Sequence, residues 1–366
     1  PPKIESIHFE IDNKKNLYFD SENNTTRRKI GDEIKFIAKI DKRVEVIPDS
    51  NLNKDGIKIK ITSLDSNSPF YSLDSNSPLY QVNTIDVCYD SYEEYLNNFT
   101  LIKFTYVVEE DKYIDFRENY KIEFIKSSNF KIVDDAGNDI SINEKEYKLY
   151  EDNSSNFNNL VIDGIRPRIK SLNVINATKN LFKRGDKIQL EVKFNEKVKL
   201  EYGQLKLIFT TDDFAIISPD SNDNYFSETL YTTYTVGENQ SFDETDLKIN
   251  KIKLIDITDS NNSIFDKAGN IPVLQNQKGN YANLDLPSNI NDNLNIRVDS
   301  KSPNIEFESI KSNNDNDNSL AKKDDTITLT FKSKEPLKVD KDKSVVTIAD
   351  KSNISIYQDT NSDLYG

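Results

Sequence analysis

The stretch GDKIQLEVKF, residues 185–194, decides the fold class of this chain. After a Gly-Asp turn, apolar and polar side chains alternate strictly, which is the pattern of a strand with one buried and one solvated face. The residues expected to face a core are Ile188, Leu190, Val192 and Phe194, and those expected to face water are Lys187, Gln189, Glu191 and Lys193. Strands with one wet face are typical of antiparallel sheets.

The same stretch recurs twice, as GDEIKFIAKI at residues 31–40 and DDTITLTF at residues 324–331. A proline-containing element precedes each copy: PKI at residues 2–4, DGIRPRI at 163–169 and DSKSPNI at 299–305. A repeat of this kind indicates tandem structural units. We predict a first unit at residues 1–165, a second at 166–302 and a partial third at 303–366.

The first two units also share a five-residue motif, DDAGN at residues 134–138 and DKAGN at residues 266–270. Glycine accepts a positive φ, and flanking Asp and Asn side chains bond nearby backbone groups, so the motif predicts a tight turn. Short strands separated by polar turns follow one another without amphipathic helices, which predicts an all-β chain and excludes βαβ architecture.

Composition narrows the classes of partner. The formal net charge is −14, which argues against nucleic acid and anionic membranes. No apolar run approaches the ~20 residues of a membrane helix, so no membrane contact is expected within this segment.

The chain begins Pro1-Pro2 and contains no methionine, so we expect a piece of a longer precursor. The lone Cys88 is interpreted as a small core residue, and the lone His8 as an exposed strand residue.

A tandem duplication enlarges the first unit: SLDSNSPFY at residues 63–71 is followed by SLDSNSPLY at residues 72–80. Proline and Asp-Ser-Asn clusters predict a surface loop. Its aromatic and aliphatic residues are candidate ligand contacts, because such side chains suit binding surfaces; the alternative is that they pack onto their own unit. These candidates are Phe70, Tyr71, Leu79 and Tyr80.

These shared elements resemble bacterial immunoglobulin-like repeats. The second unit carries the pattern throughout, from Pro167 through residues 185–186, 194–196 and 234–236 to the 266–270 turn and Asp299. The first unit departs from it, because Ile40-Asp41-Lys42 stands where Phe-Asn-Glu is expected. The resemblance implies tandem immunoglobulin-like β-sandwich domains of a large secreted or surface-anchored protein, adhesin or S-layer type, located outside the cell.

Two kinds of site chemistry can be considered. Residues 109–111 and 212–213 offer neighbouring carboxylates, but they lie in polar turn-like segments, and neither a catalytic triad nor a phosphate-binding loop is present. We therefore expect that this chain is not an enzyme. Calcium prefers carboxylate, amide and carbonyl oxygens, and such groups recur near the predicted junctions; the alternative role is turn capping and solubility. The calcium candidates are Asp134, Asn138, Asp163, Asp266, Asn270 and Asp299.

The function expected from these features is a structural repeat segment: a stalk, fibre or surface-layer component with neighbouring copies of itself or other surface proteins as partners. Short proline-marked junctions favour a semi-rigid rod over flexibly linked units. Two alternatives remain open at this point. The first unit could bind a glycan or host protein, or the chain could be an accessory part of a large polysaccharide-degrading enzyme. A lysine–asparagine isopeptide cross-link stays undecided, since both residue types are abundant.

Overall fold

The computed structural model describes residues 1–11, 18–20, 25–48, 56–64, 84–95, 98–142, 160–175, 177, 179–219, 225–238, 240–257, 263–278, 280–335 and 337. This part of the chain is all-β, with 26 strands in several sheets and no helix. The predicted fold class is confirmed at this level, and the arrangement of sheets is consistent with β-sandwich architecture. The described residues include no helix long and apolar enough to span a membrane.

Twelve strands belong to the first unit. They are β1 Ile4–Ile11, β2 Tyr18–Asp20, β3 Thr25–Arg28, β4 Glu33–Ile40, β5 Glu45–Ile47, β6 Ile57–Ser63, β7 Thr84–Tyr95, β8 Phe99–Val107, β9 Tyr113–Asp115, β10 Tyr120–Lys126, β11 Lys131–Val133 and β12 Leu160–Asp163. Six form one sheet in the order β1-β4-β8-β7-β6-β10, four form a second in the order β2-β3-β12-β9, and β11 pairs with β5. All pairings in this unit are antiparallel except β3 with β12.

Twelve strands belong to the second unit. They are β13 Ile169–Ile175, β14 Leu181–Lys183, β15 Lys187–Leu200, β16 Gln204–Phe209, β17 Phe214–Ile217, β18 Ser227–Thr235, β19 Thr245–Asp246, β20 Ile249–Ile255, β21 Ile264–Asp266, β22 Leu274–Lys278, β23 Tyr281–Leu284 and β24 Arg297–Asp299. The sheets run β13-β15-β18 with β21 also on β15, β17-β16-β20-β23-β22, and β14-β24-β19. The parallel pair β14 with β24 repeats the parallel pair of the first unit.

The alternation in residues 187–194 is confirmed. Ile188, Leu190, Val192 and Phe194 on β15 are buried, whereas the residues between them are exposed or half-buried. Each of the first two units has its own buried apolar cluster: one contains residues between Ile7 and Ile162, and the other contains residues between Ile169 and Val298. Burial of apolar surface is the main favourable term in folding, so each cluster stabilises the sheets around it.

The turns that connect equivalent strands are also alike. Gly31 has a φ of 85° and donates its N–H to the carbonyl of Val108; Gly185 has a φ of 83° and donates to Val236. These bonds lie at one end of the β4–β8 and β15–β18 pairs. At the opposite end of these strand pairs, Ile40 and Phe194 pair with the first residue of the first strand in their units. We call this end the amino-terminal pole of a unit, and the end with the glycine turn its carboxyl-terminal pole.

The described part of the third unit is a hairpin of β25 Ile305–Ser312 and β26 Ile327–Ser333. Its apolar side chains are largely exposed, with Ile305 at 57%, Phe307 at 60% and Ile327 at 50%. By the repeat alignment, Ile305 and Ile327 correspond to Ile169 and Ile188, which are buried in the second unit. Residues 338–366 lie outside the described part of the chain.

Candidate metal centre at the junction of the first two units

The first and second units are connected through Asn270, the last residue of the DKAGN turn. Its side-chain Nδ2 donates to the backbone carbonyls of Asp163 (2.7 Å) and Ile165 (3.3 Å). Its Oδ1 accepts the backbone N–H of Ile30 (3.0 Å), a residue 240 positions away. Asn270 is only 3% exposed, so these bonds are formed away from water and are costly to lose.

The turn itself holds Asn270 in this position. Oδ1 of Asp266 accepts the N–H groups of Ala268 (2.7 Å) and Asn270 (2.9 Å), and Gly269 has a φ of 89°. Oδ2 of Asp266 accepts Nδ2 of Asn270 (2.9 Å). The DDAGN turn shows the same backbone pattern, with Gly137 at a φ of 79°. The predicted tight turn is confirmed at both places.

Ion pairs flank this contact on its exposed side. Arg166 pairs with Glu110 (3.0 Å) and donates to the carbonyl of Ile271 (3.1 Å), and Arg168 pairs with Asp111 (3.1 Å). Exposed pairs of this kind contribute roughly 0–1 kcal/mol each. The acidic stretch at residues 109–111 thus supplies two of the ion pairs at this junction.

A close backbone approach also shapes this end of the first unit. A Cβ on Gly164 would lie 2.0 Å from the carbonyl oxygen of Glu109. At the second junction the small residue is on the other side: a Cβ on Gly237 would lie 2.3 Å from Cβ of Ser300. Gly237 follows Val236 as Glu109 follows Val108, and Ser300 follows Asp299 as Gly164 follows Asp163. A side chain at position 164 would therefore meet the backbone carbonyl of Glu109, whereas one at position 237 would meet the side chain of Ser300.

This close approach leads to a first prediction. Gly164→Ser should destabilise the first unit by roughly 1–3 kcal/mol, because overpacking forces backbone shifts. Calorimetric unfolding of the variant and of the unchanged chain measures this effect. An unchanged melting temperature in the variant would contradict the close approach.

Three carboxylates converge beneath Asn270, and we call Asp163, Glu196 and Asp266 the junction carboxylates. One oxygen from each lies within 4.8 Å of the others. Asp163 ends β12 and Asp266 ends β21, while Glu196 lies on β15 two residues before Val198, which pairs with Asp266. Three chain segments separated by 33 to 103 positions thus bring their carboxylates to one place.

The electrostatic balance of this cluster is unfavourable when all three groups are ionised. Arg27 Nη1 pairs with Asp163 Oδ2 at 2.8 Å, which leaves two further negative charges. Burial, and then the charges of Asp266 and Asp163, raise the pKa of Glu196 to about 10. Burial and the charge of Asp163 raise the pKa of Asp266 to about 7. Burial also raises the pKa of Asp163, against the opposing effect of Arg27.

Tyr113 completes the group of titratable side chains around Asp163. Burial raises the pKa of its phenol to about 12; Arg27 opposes this effect and Asp163 adds to it. Arg117, whose charge also acts on Tyr113, is held by Asp115 at 2.5 Å. Within the described part of the chain, the guanidinium of Arg27 is the positive charge that pairs with Asp163.

The cluster suits a hard divalent cation. Calcium takes oxygen ligands at about 2.3–2.6 Å, so two ligands of one ion lie up to roughly 5 Å apart. The 4.8 Å limit on the junction carboxylates meets this requirement. Carboxylates with raised pKa values gain most from a cation, because the ion replaces the proton that burial otherwise favours.

A second acidic group lies at the next junction. Oxygens of Asp243, Asp299 and Glu335 also lie within 4.8 Å of one another, in a more exposed setting. Asp299 is the repeat counterpart of Asp163, and Glu335 lies 11 positions after Asp324, the first residue of DDTITLTF, as Glu196 lies 11 positions after Gly185. Lys301 Nζ lies 3.4 Å from Asp243. Two of the three positions thus recur at both junctions.

The structure separates the six sequence-based calcium candidates into three groups. Asp163, Asp266 and Asn270 lie together at the first junction, and Asp299 lies at the second. Asp134 and Asn138 bond to each other at the amino-terminal pole of the first unit, beside Lys42 rather than beside another carboxylate cluster. Phe70, Tyr71, Leu79 and Tyr80, the candidate ligand contacts, lie outside the described residues.

Sequence reasoning did not include Glu196, Asp243 or Glu335 among the candidate ligands. The signal for Glu196 was present, because the Phe-Asn-Glu element belongs to the repeat pattern and its departure in the first unit was visible. Glu335 could have been found by counting from the aligned strand. Asp243 lies in a loop without a clear counterpart, so only the folded chain could indicate it.

No family model matches this chain, and no curated protein matches it either.

Proposed function

We propose that this chain is a structural segment of an extracellular surface protein, in which immunoglobulin-like β-sandwich units are joined end to end through calcium-stiffened junctions. The observation that carries the proposal is the buried contact of Asn270 with Ile30, Asp163 and Ile165. A flexible linker would not need a buried polar side chain that bonds both neighbouring units. A stalk, fibre or surface layer needs such fixed connections, because they transmit force and keep the units at a constant spacing.

Calcium is the cation proposed for the junction carboxylates. Asp163, Glu196 and Asp266 would hold it, and the ion would supply positive charge where Asp163 of the first unit meets Glu196 and Asp266 of the second. Calcium outside cells is abundant enough for sites of moderate affinity. Ion binding would then couple to the orientation of the units, since the three ligands come from both sides of the junction.

Small-angle scattering of the full chain, first in calcium and then in a chelator, tests this proposal. We expect an extended particle in calcium whose distance distribution becomes broader after chelation. A distribution unaffected by chelation would remove calcium from the proposal and leave a self-sufficient rod. A compact globule in both solutions would contradict the end-to-end arrangement.

Replacing one ligand gives a second prediction. Glu196→Gln should weaken calcium binding by roughly tenfold or more, because losing one charged ligand costs at least about 1.4 kcal/mol of binding free energy. Titration calorimetry measures the affinity. Glu118→Gln, an exposed position on the first unit, is the matched control and should bind calcium as the unchanged chain does. Equal affinity of all three proteins would place the ion elsewhere.

A further inference from the structure

The amino-terminal pole of the first unit repeats the backbone frame that the second unit uses at the junction. In the second unit, Arg168 donates its N–H to Asn195 Oδ1 (2.6 Å), and the N–H of Asn195 donates to the carbonyl of Arg168 (3.0 Å). In the first unit, Lys3 and Asp41 form the same reciprocal pair at 2.8 and 3.0 Å. The start of the first strand is therefore bonded in the same way, at both poles, to the residue that follows Ile40 or Phe194.

The turns at the two poles differ in exposure rather than in form. Asp134 Oδ1 accepts the N–H groups of Ala136 and Asn138 as Asp266 Oδ1 accepts those of Ala268 and Asn270. The second unit's turn is buried against the first unit, with Asn270 at 3% exposure. Asn138, its counterpart, is exposed. The side chain that bonds across the junction thus has a solvent-exposed equivalent on the first unit.

Charge distinguishes the two poles. Lys42 occupies the position that Glu196 occupies in the second unit, two residues after the aligned strand positions Ile40 and Phe194. Lys42 Nζ lies 3.8 Å from Asp134 Oδ2, where the second unit sets the Glu196 carboxylate beside Asp266. An ammonium group therefore stands where the second unit has a third carboxylate.

From these three observations we infer that the amino-terminal pole of the first unit is a docking surface for the carboxyl-terminal pole of another unit of the same kind, with Lys42 supplying the positive charge. The inference rests on the proposed end-to-end function. The partner is defined by its chemistry. It has an aspartate at the position of Asp163, backbone carbonyls at the positions of Asp163 and Ile165 that accept the Asn138 amide, and a backbone N–H at the position of Ile30 that donates to Asn138. Lys42 faces the incoming aspartate, so this junction forms without a divalent cation.

A fusion protein tests the inference. A second copy of residues 1–165 placed before Pro1 puts its Ile165 directly ahead of Pro1, the register that Ile165 and Arg166 have in the chain. The added unit brings its own apolar core. Spin labels at cysteines replacing Glu118 of the added copy and Glu45 of the original first unit, both exposed positions, report the distance across the new junction. Cys88→Ser in both copies makes the labelling specific.

The expected result is a single narrow distance distribution in calcium and in chelator. Asn138→Ala should abolish the narrow distribution in both solutions, and Lys42→Glu should make it depend on calcium. A broad distribution in both solutions, or one that Asn138→Ala leaves narrow, overturns the inference. Scattering of the unfused chain tests the proposed function separately: insensitivity to calcium there removes the ion from the Glu196 junction, while the Lys42 pole is judged by the spin labels alone.

Discussion

Asn270→Ala should free the second unit from the first. The substitution removes hydrogen bonds to Asp163, Ile165 and Ile30 and leaves two carbonyls and one N–H without that partner in a buried contact. Each buried polar group left unsatisfied costs about 1–3 kcal/mol. Because water that enters the contact can satisfy some of these groups, we expect the stability of the junction to fall by roughly 3–5 kcal/mol. Hydrogen exchange at the Ile30 amide measures the loss directly, because that proton is protected by Asn270.

Asn138→Ala is the matched control for this variant. It changes the same residue in the same turn, but at the exposed pole of the first unit. We expect little change in Ile30 protection and a small local effect on the turn. Faster exchange of Ile30 in Asn270→Ala, with unchanged unfolding of each core, would identify a loss of contact between units. Equal exchange in both variants would contradict the role assigned to Asn270.

In a chelator, stability of the junction should fall as the pH rises from 5 to 8. A carboxyl group whose pKa is raised by folding binds more protons in the folded state, so its folded form is favoured below the ordinary pKa and loses stability as the pH rises through the raised value. For Asp266 that window runs from 3.8 to about 7. One pH unit corresponds to about 1.4 kcal/mol, so ionising Asp266 in place costs on the order of 4 kcal/mol as an upper value.

Calcium should reverse this dependence. Its ligands must be ionised, so the ion binds more tightly at pH 8 than at pH 5 and should restore most of the stability lost at the higher pH. Calorimetric unfolding at both pH values, with and without calcium, measures the four states. Other carboxylates have lowered pKa values, such as Asp139 and Asp186, and act in the opposite sense.

Glu196→Gln distinguishes the effect of the junction carboxylates on stability from that of the other carboxylates. The variant keeps the size of the side chain but removes one charge from the junction carboxylates, so both its pH dependence and its response to calcium should be weaker. The difference between the unchanged chain and the variant is therefore the quantity to compare. Identical curves for the two proteins would show that Glu196 does not titrate with the junction.

The sequence alone determined the local structure of this protein. Alternation of apolar and polar residues in 185–194 determined which side of β15 is buried, because successive side chains of a strand point to opposite faces. The Asp-x-Ala-Gly-Asn motif determined a turn, because glycine accepts its positive φ and the aspartate caps it with bonds at most four residues away. The repeats located these elements without reference to any other protein.

Tertiary structure alone decided which polar residues act together. Asp134 and Asp266 belong to the same motif, yet the pKa of Asp134 is lowered, chiefly by its hydrogen bond from the backbone of Asn138, while that of Asp266 is raised. The difference arises because Asp266 is buried at the junction beside the charge of Asp163, whereas Asp134 lies near Lys42, whose charge lowers its pKa. Desolvation and charge depend on groups distant in sequence, so local patterns predict the turn but not the charge state it supports.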